Sequence, residues 1–187
     1  MRQTIEEPAY EVTHRLGKDV ELRRYASYVV AEVLMAGAPD EAASLAFPIL
    51  AGYIFGQNTQ RRTFSMTTPM THTRAPADVT MIAPMTRPAT CGGSLVRFAL
   101  PRGTGQTSPP DPTDARVQMR EVAGHTLAAI RYSGCWSPAN DDEHFEQLAA
   151  ALRAARMPWD GAPVYARYNA PWTPWALRRN EVWLSPS

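Results

Sequence analysis

Two short segments of the chain echo each other: Met66-Thr67-Thr68-Pro69-Met70 and Met81-Ile82-Ala83-Pro84-Met85. The two-residue period of extended chain puts Met66, Thr68, Met70 and His72 on one face, and Met81, Ala83, Met85 and Arg87 on one face of the next segment. Four of the eight methionines thereby converge. Methionine is flexible and polarizable and packs well on flat rings, so two such pairs make an adaptable apolar wall for a large planar ligand, although the same residues serve equally as core filler. Pro69 and Pro84 keep both segments out of a fully paired sheet interior. His72 is the best placed of the four histidines to meet a metal carried by such a ligand, while a lone histidine is more often a surface or internally bonded residue.

Near the C-terminus, Trp172 and Trp175 stand in a proline-braced stretch, where large aromatic surface is costly unless it packs on a core or a ligand. Arg178 and Arg179 follow at once, and guanidinium binds carboxylate bidentately. Rings beside paired arginines suit a ligand aromatic in its body and carboxylated at its rim; a closing loop with solvated arginines fits the same residues. Arg61 and Arg62, just before the first methionine segment, form a second basic pair. Glu181 is the candidate for proton transfer if burial raises its pKa, with Tyr165 and Tyr168 as helpers. An ion pair with Arg167, Arg178 or Arg179 is the preferred reading of the same residue. No Ser-His-Asp or Cys-His pattern, GxGxxG, P-loop or metal-spaced Cys/His set occurs, and Cys91 and Cys135 lie far apart in no CxxC spacing.

The elements that must hold these residues come in two sets. Residues 20–37 (VELRRYASYVVAEVLMAG) lie without a gap over residues 117–134 (VQMREVAGHTLAAIRYSG), with identities at Val20/Val117, Arg23/Arg120, Ala26/Ala123, Ala31/Ala128 and Gly37/Gly134. Both segments alternate as strand pairs do. A helix follows each: one after Asp40, with Ala46, Ile49, Leu50, Tyr53 and Ile54 at helical spacing, and one opened by Asn140 and Glu143 in a capping-box pattern and stopped by Pro158. Pro48 inside the first helix implies a kink or a later start. Further extended segments are expected at 63–73, 79–87 and 94–100, and at 164–169 and 180–184, with a linker at 101–114. The expectation is a single α+β domain over residues 1–187, built of duplicated βαββ-type halves at about 8–100 and 115–187 with pseudo-twofold symmetry. Its antiparallel sheet is curved or barrel-like, with two main helices and a ligand groove at the seam.

Composition narrows the partners. With 187 residues, 44% apolar and 20% charged, the chain buries a substantial core and is not disordered. A net charge of +1 gives no field that would hold a nucleic acid. No stretch approaches the length needed to span a bilayer and no apolar leader opens the chain, so it reads as cytoplasmic unless a signal peptide has been removed.

In this order, the motifs resemble the SOUL haem-binding proteins. The resemblance is carried by Tyr10-Glu11-Val12, Val20-Glu21-Leu22-Arg23-Arg24-Tyr25, Tyr53-Ile54-Phe55-Gly56 with Asn58, the MTTPM and IAPM segments, and Arg179-Asn180-Glu181-Val182-Trp183. It covers essentially the whole chain. It implies a fold like that of bacterial effector-binding domains and binding of haem or another tetrapyrrole in an apolar cleft bordered by a helix and loops. Basic side chains then sit near the propionates, often without a strict axial histidine. Carried onto this chain, the wall comprises Leu50, Tyr53 and Ile54 of the helix, Met66, Met70, Met81 and Met85, and Trp172 and Trp175. Arg61, Arg62, Arg178 and Arg179 are expected at the propionates, with His72 as the candidate iron ligand. Thr68, Met70, Ile82 and Pro48 depart from the family's usual segments. The resulting expectation is a haem carrier or buffer; iron removal or hydrolysis through Glu181, and a small-molecule sensor, are the alternatives.

Overall fold

A computed structural model describes residues 6–37, 39–74, 93–104, 108–170 and 172–187. The elements in order are β1 (Tyr10–Leu16), β2 (Val20–Tyr25), β3 (Tyr28–Ala36), α1 (Pro39–Ile54), β4 (Met70–Arg74), β5 (Gly93–Ala99), β6 (Val117–Val122), β7 (His125–Tyr132), α2 (Pro138–Ala154), β8 (Trp159–Arg167) and β9 (Asn180–Pro186). The named strand pairs are antiparallel, and the class is α+β, as expected. Two compact units result: Met1–Pro8 with Ser27–Ala123, and Ala9–Ala26 with Gly124–Ser187.

In the first unit β3 is central, paired with β5 on one side and β6 on the other, and β4 extends β5. Alternate residues Val29, Ala31 and Val33 of β3, with Val96 and Phe98 of β5 and Val117 of β6, meet Ala42, Ala46, Leu50, Tyr53 and Ile54 of α1 in one core. The opposite face of the sheet holds Glu32 between Arg97 and Arg120. In the second unit the order is β1-β2-β7-β9-β8. There Val20, Leu22, Ala128, Ile130, Val182 and Leu184 bury against Leu148 and Leu152 of α2.

The strands of each aligned segment do not form a hairpin with each other. β2 pairs with β7, Val20 opposite Ile130 and Tyr25 opposite His125. β3 pairs with β6, Tyr28 opposite Val122 and Val33 opposite Val117. The alignment of residues 20–37 on 117–134 carries one register onto the other.

Helix starts differ from the sequence reading by a few residues. α1 begins at Pro39, a favoured first position, so Asp40 is already inside it. Pro48 is internal and exposed, on the side where water can serve the carbonyl it leaves without a helical donor. α2 is capped by Ser137, whose hydroxyl accepts from the Asn140 N–H at 3.3 Å, and Pro138 follows in the first turn. Asn140 is thus a first-turn residue, and its amide ties back to the Cys135 carbonyl at 3.0 Å. Gly37 and Gly134 turn the chain from strand to helix at φ +107° and +122°, a region that favours glycine. A Cβ at 134 would lie 2.8 Å from the Asn140 amide nitrogen. The expected strand at 63–73 forms only from Met70, after a cis Thr68–Pro69 peptide; the segment 79–87 lies outside the described residues.

Candidate functional site

Helix α1 is apolar on both sides. Its inner face is core, and Leu50, Tyr53 and Ile54 are turned there with 0–1% exposure. The helical period that buries them sends Leu45 outward, 52% exposed, and Phe55, just past the last turn, is 63% exposed; Phe47 lies at the edge of the buried side, its ring edge-on to core Phe98 at 5.7 Å between centres. Pro48 shares this exposed side. Gln57 folds back over Gly52, where a Cβ would lie 2.4 Å from its amide oxygen.

Beyond α1, a buried asparagine shapes the turn that presents the first arginine pair. Asn58 Nδ2 donates to the carbonyls of Tyr53 at 3.2 Å and Arg62 at 2.7 Å, and its Oδ1 accepts from the Arg62 N–H at 2.9 Å. Arg61 takes a left-handed conformation, φ 51°, and is exposed. Arg62 lies over the Phe64 ring, 5.0 Å to its centre, and Phe64 stacks on Tyr53. The Tyr53 hydroxyl donates to the Pro110 carbonyl at 2.9 Å, and burial pushes its pKa up to about 12.

The first methionine segment splits by environment. Met66 is 36% exposed, whereas Met70 packs against the core on β4. Thr67 between them is buried and donates its hydroxyl to the Ala99 carbonyl. His72 is buried on β4 opposite Val96. Met81 and Met85 lie outside the described residues. Among the described residues no group of His, Cys, Asp or Glu is arranged to hold a metal ion, and no helix is long and apolar enough to cross a membrane.

The remaining candidates lie in the second unit, around Glu181. This carboxylate is fully buried on the sheet face away from α2. Arg23 Nη1 donates to its Oε2 at 2.7 Å and Nη2 to its Oε1 at 3.2 Å. Arg179 donates twice to Oε1, from Nε at 3.0 Å and Nη2 at 2.9 Å. The Tyr168 hydroxyl and Trp183 Nε1 donate to Oε2 at 2.9 and 2.7 Å. Burial alone would push the carboxyl pKa up, but the bonds and charge of Arg23, the charge of Arg179 and the Trp183 indole outweigh it and hold it below the ordinary carboxylate value. Burial opposes the charge of Arg23 in turn, and Glu181 more than compensates, so the guanidinium pKa rises. Burial, then the adjoining carboxylate, lifts the Tyr168 phenol well above its usual value.

The preferred ion-pair reading of Glu181, and not the alternative of a proton donor with a raised pKa, agrees with these bonds: both oxygens are engaged and the pKa is lowered. The ion pair expected with Arg179 is present; Arg23, from the far end of the chain, is the partner that sequence reading missed. Its signal was the Arg23/Arg120 identity, since Arg120 likewise reaches a buried glutamate, Glu32. Arg167 joins Asp141 and Tyr132 on the α2 side, and Arg178 stacks on Trp136, 4.5 Å from the ring centre. Trp172 and Trp175 are largely exposed. Arg178 and Arg179 line a groove of about 740 Å³ with residues of β1, β2 and β7.

Comparison with known proteins bears on the family and the fold. Residues 5–185 match the family described as SOUL heme-binding protein. The chain is 31% identical to Heme-binding protein 1 of Mus musculus over 151 residues, covering 78% of this chain and 72% of that one. It is 28% identical to Heme-binding protein 2 of Homo sapiens over 146 residues, covering 78% and 66%. Among solved structures, the EcmrR C-terminal domain superposes with a TM-score of 0.63 at 8% identity, covering 95% of this chain and 98% of that one. An uncharacterized conserved protein from Listeria innocua gives 0.65 at 11% identity, covering 90% and 92%. At such identities these two likenesses speak for the fold alone.

Proposed function

Because the chain belongs to the SOUL heme-binding protein family, we propose that it binds haem or a related tetrapyrrole and acts as its carrier, with the ring laid on the outer face of α1. The observation that carries this reading is the exposure of Leu45 and Phe55 on the outward side they share with Pro48, on a helix whose packing is already satisfied by its other face. Apolar surface taken from water contributes about 2.5 kcal/mol per 100 Å², and a flat macrocycle covers several such side chains at once. Met66, half in water just beyond the arginine pair, supplies a polarizable contact. Arg61 and Arg62, held by Asn58 past the end of the helix, are the propionate partners on this unit. Leu50, Tyr53 and Ile54 then support the binding face from beneath, and Met70 does the same from β4. Burial of the ring dominates, and iron ligation by His72, closed off at 2% exposure, is not required.

Haem titration followed by absorbance tests this. The expected result is a shifted Soret band that saturates at one haem per chain with micromolar protein. Met66→Glu weakens binding by tenfold or more, and His72→Ala leaves the band position unchanged. Absence of any Soret shift contradicts the reading.

The two halves are further inferred to derive from one duplicated unit. Supporting this are the gap-free alignment of residues 20–37 on 117–134, the shared register of the β2/β7 and β3/β6 ladders, and the glycines at 37 and 134. Arg23 and Arg120, each joined to a buried glutamate, add a matched pair of charges.

A further inference from the structure

The second unit carries three large apolar side chains held out in water within six residues: Trp172 at 84%, Trp175 at 62% and Leu177 at 73% exposure. Their loop is not slack. The Thr173 N–H donates to the Ala170 carbonyl at 3.0 Å, the Leu177 N–H to the Pro174 carbonyl at 2.9 Å, and the Gly134 N–H to the Trp175 carbonyl at 3.1 Å. Arg178 Nε closes it from below on the Thr173 carbonyl at 2.8 Å. A backbone tied at these points fixes where its side chains project.

Leu177 is also on the rim of the 740 Å³ groove, whose other walls come from β1, β2 and β7. Six of the chain's 19 basic residues line that groove, Arg15, Lys18, Arg23, Arg131, Arg178 and Arg179, against two acids, Asp19 and Glu21. In a chain of net charge +1 this is a local concentration of positive charge. Arg23 and Arg179 are engaged by Glu181, and Arg15 by Glu21 at 2.7 Å. Lys18 and Arg131 are exposed and have no ion-pair partner among the described residues.

We propose that this loop and groove dock the protein on an anionic phospholipid surface. Trp172, Trp175 and Leu177 enter the boundary between headgroups and acyl chains, the layer that indole rings favour, while Lys18, Arg131 and Arg178 meet phosphate headgroups. Neither part suffices alone: a small apolar insertion gives marginal, reversible attachment, and a basic patch supplies the second signal. Charge complementarity selects this occupant. A free phosphate would occupy the groove and leave both tryptophans in water, whereas a lipid surface uses both features together. The inference stands apart from the haem reading, which rests on the other unit.

The test uses the full chain without haem, sedimented with vesicles of phosphatidylcholine alone and with phosphatidylserine added. Binding is expected only with phosphatidylserine, with a blue shift of tryptophan emission, and weakens as salt is raised. Trp172→Ser with Trp175→Ser lowers vesicle affinity by at least about tenfold. Lys18→Ala and Arg131→Ala each lower it about fivefold. All four positions are exposed, so the variants are expected to fold as the original chain does, read from urea unfolding. The proposal is overturned if the vesicles do not bind, if the variants sediment like the original, or if inorganic phosphate binds the groove while the vesicles do not.

Discussion

Helices α1 and α2 do the same packing work in their units and differ in what they show to water. On α2, Leu148, Ala149 and Leu152 face the core, and the outside carries Asp142, Glu143, Glu146, Gln147 and Arg153. On α1, Ala46, Leu50 and Tyr53 face the core, and the outside carries Leu45 and Pro48 beside Glu41 and Ser44. Burial explains apolar residues on an inner face; on an outer face they are the surface that the proposed ring would cover. The polar outside of α2 serves as the internal control for the proposal that α1 bears the ligand.

The units also differ in how they keep a glutamate away from water. Glu181 shares its burial with Arg23, at 3% side-chain exposure, and Arg179, at 19%, whereas the partners of Glu32 reach solvent at 30% and 52%. Removing Glu181 leaves the buried guanidinium of Arg23 with Glu21, 2.9 Å from its Nε, as its remaining carboxylate partner; removing Glu32 leaves two guanidinium groups that water can solvate. Glu181→Gln is therefore expected to cost about 3–5 kcal/mol and Glu32→Gln about 2 kcal/mol, read from urea unfolding. Equal losses would break the comparison.

The same contrast has a pH signature. The folded pKa of Glu181 lies below the ordinary value of 4.5, so its stabilisation is complete above that pH and is lost as pH falls through the lower folded value. Urea midpoints of the original chain should fall on acidification below that point, and Glu181→Gln should remove part of that fall. A variant with the same acid dependence would show that the carboxylate does not carry it.

Smaller effects sharpen the picture of the α1 unit. Asn58→Ala strands the carbonyls of Tyr53 and Arg62 and should cost about 1–3 kcal/mol in the same unfolding experiment. Tyr53→Phe removes one bond to the Pro110 carbonyl and should cost about 1 kcal/mol. Since the phenol pKa is raised to about 12, its contribution is complete below the usual value of 10.0 and lost as pH rises through 12. Tyr53→Phe should lose less stability than the original across that alkaline range.

Local patterns were legible where period and turn chemistry agree. The strands within residues 20–37 and 117–134 were readable from alternation, and Gly37 and Gly134 from the strand-to-helix turn. Pairing was not, because alternation states which face a residue takes and is silent on which strand lies beside it; β2 joining β7 is a long-range choice. In α1 the apolar residues run nearly all round, so the spacing of Leu50, Tyr53 and Ile54 identified a helix face without telling core from ligand surface. The outward exposure of Leu45 and Phe55 emerges only when burial is known. Glu181 was found as a chemical group, but its charge state depended on Arg23, which lies close to it only in the fold.

The central claim, that haem rests on the outer face of α1, is tested most directly by paired charge insertions followed by haem titration. Leu45→Glu with Phe55→Glu places two negative charges on exposed sites of the α1 surface, and Gln147→Glu with Ala150→Glu places two on exposed sites of α2. The account predicts a loss of at least about tenfold in haem affinity for the first pair, equivalent to about 1.4 kcal/mol, and a change within about twofold for the second. Equal affinities for the two pairs, or a greater loss on α2, would contradict it.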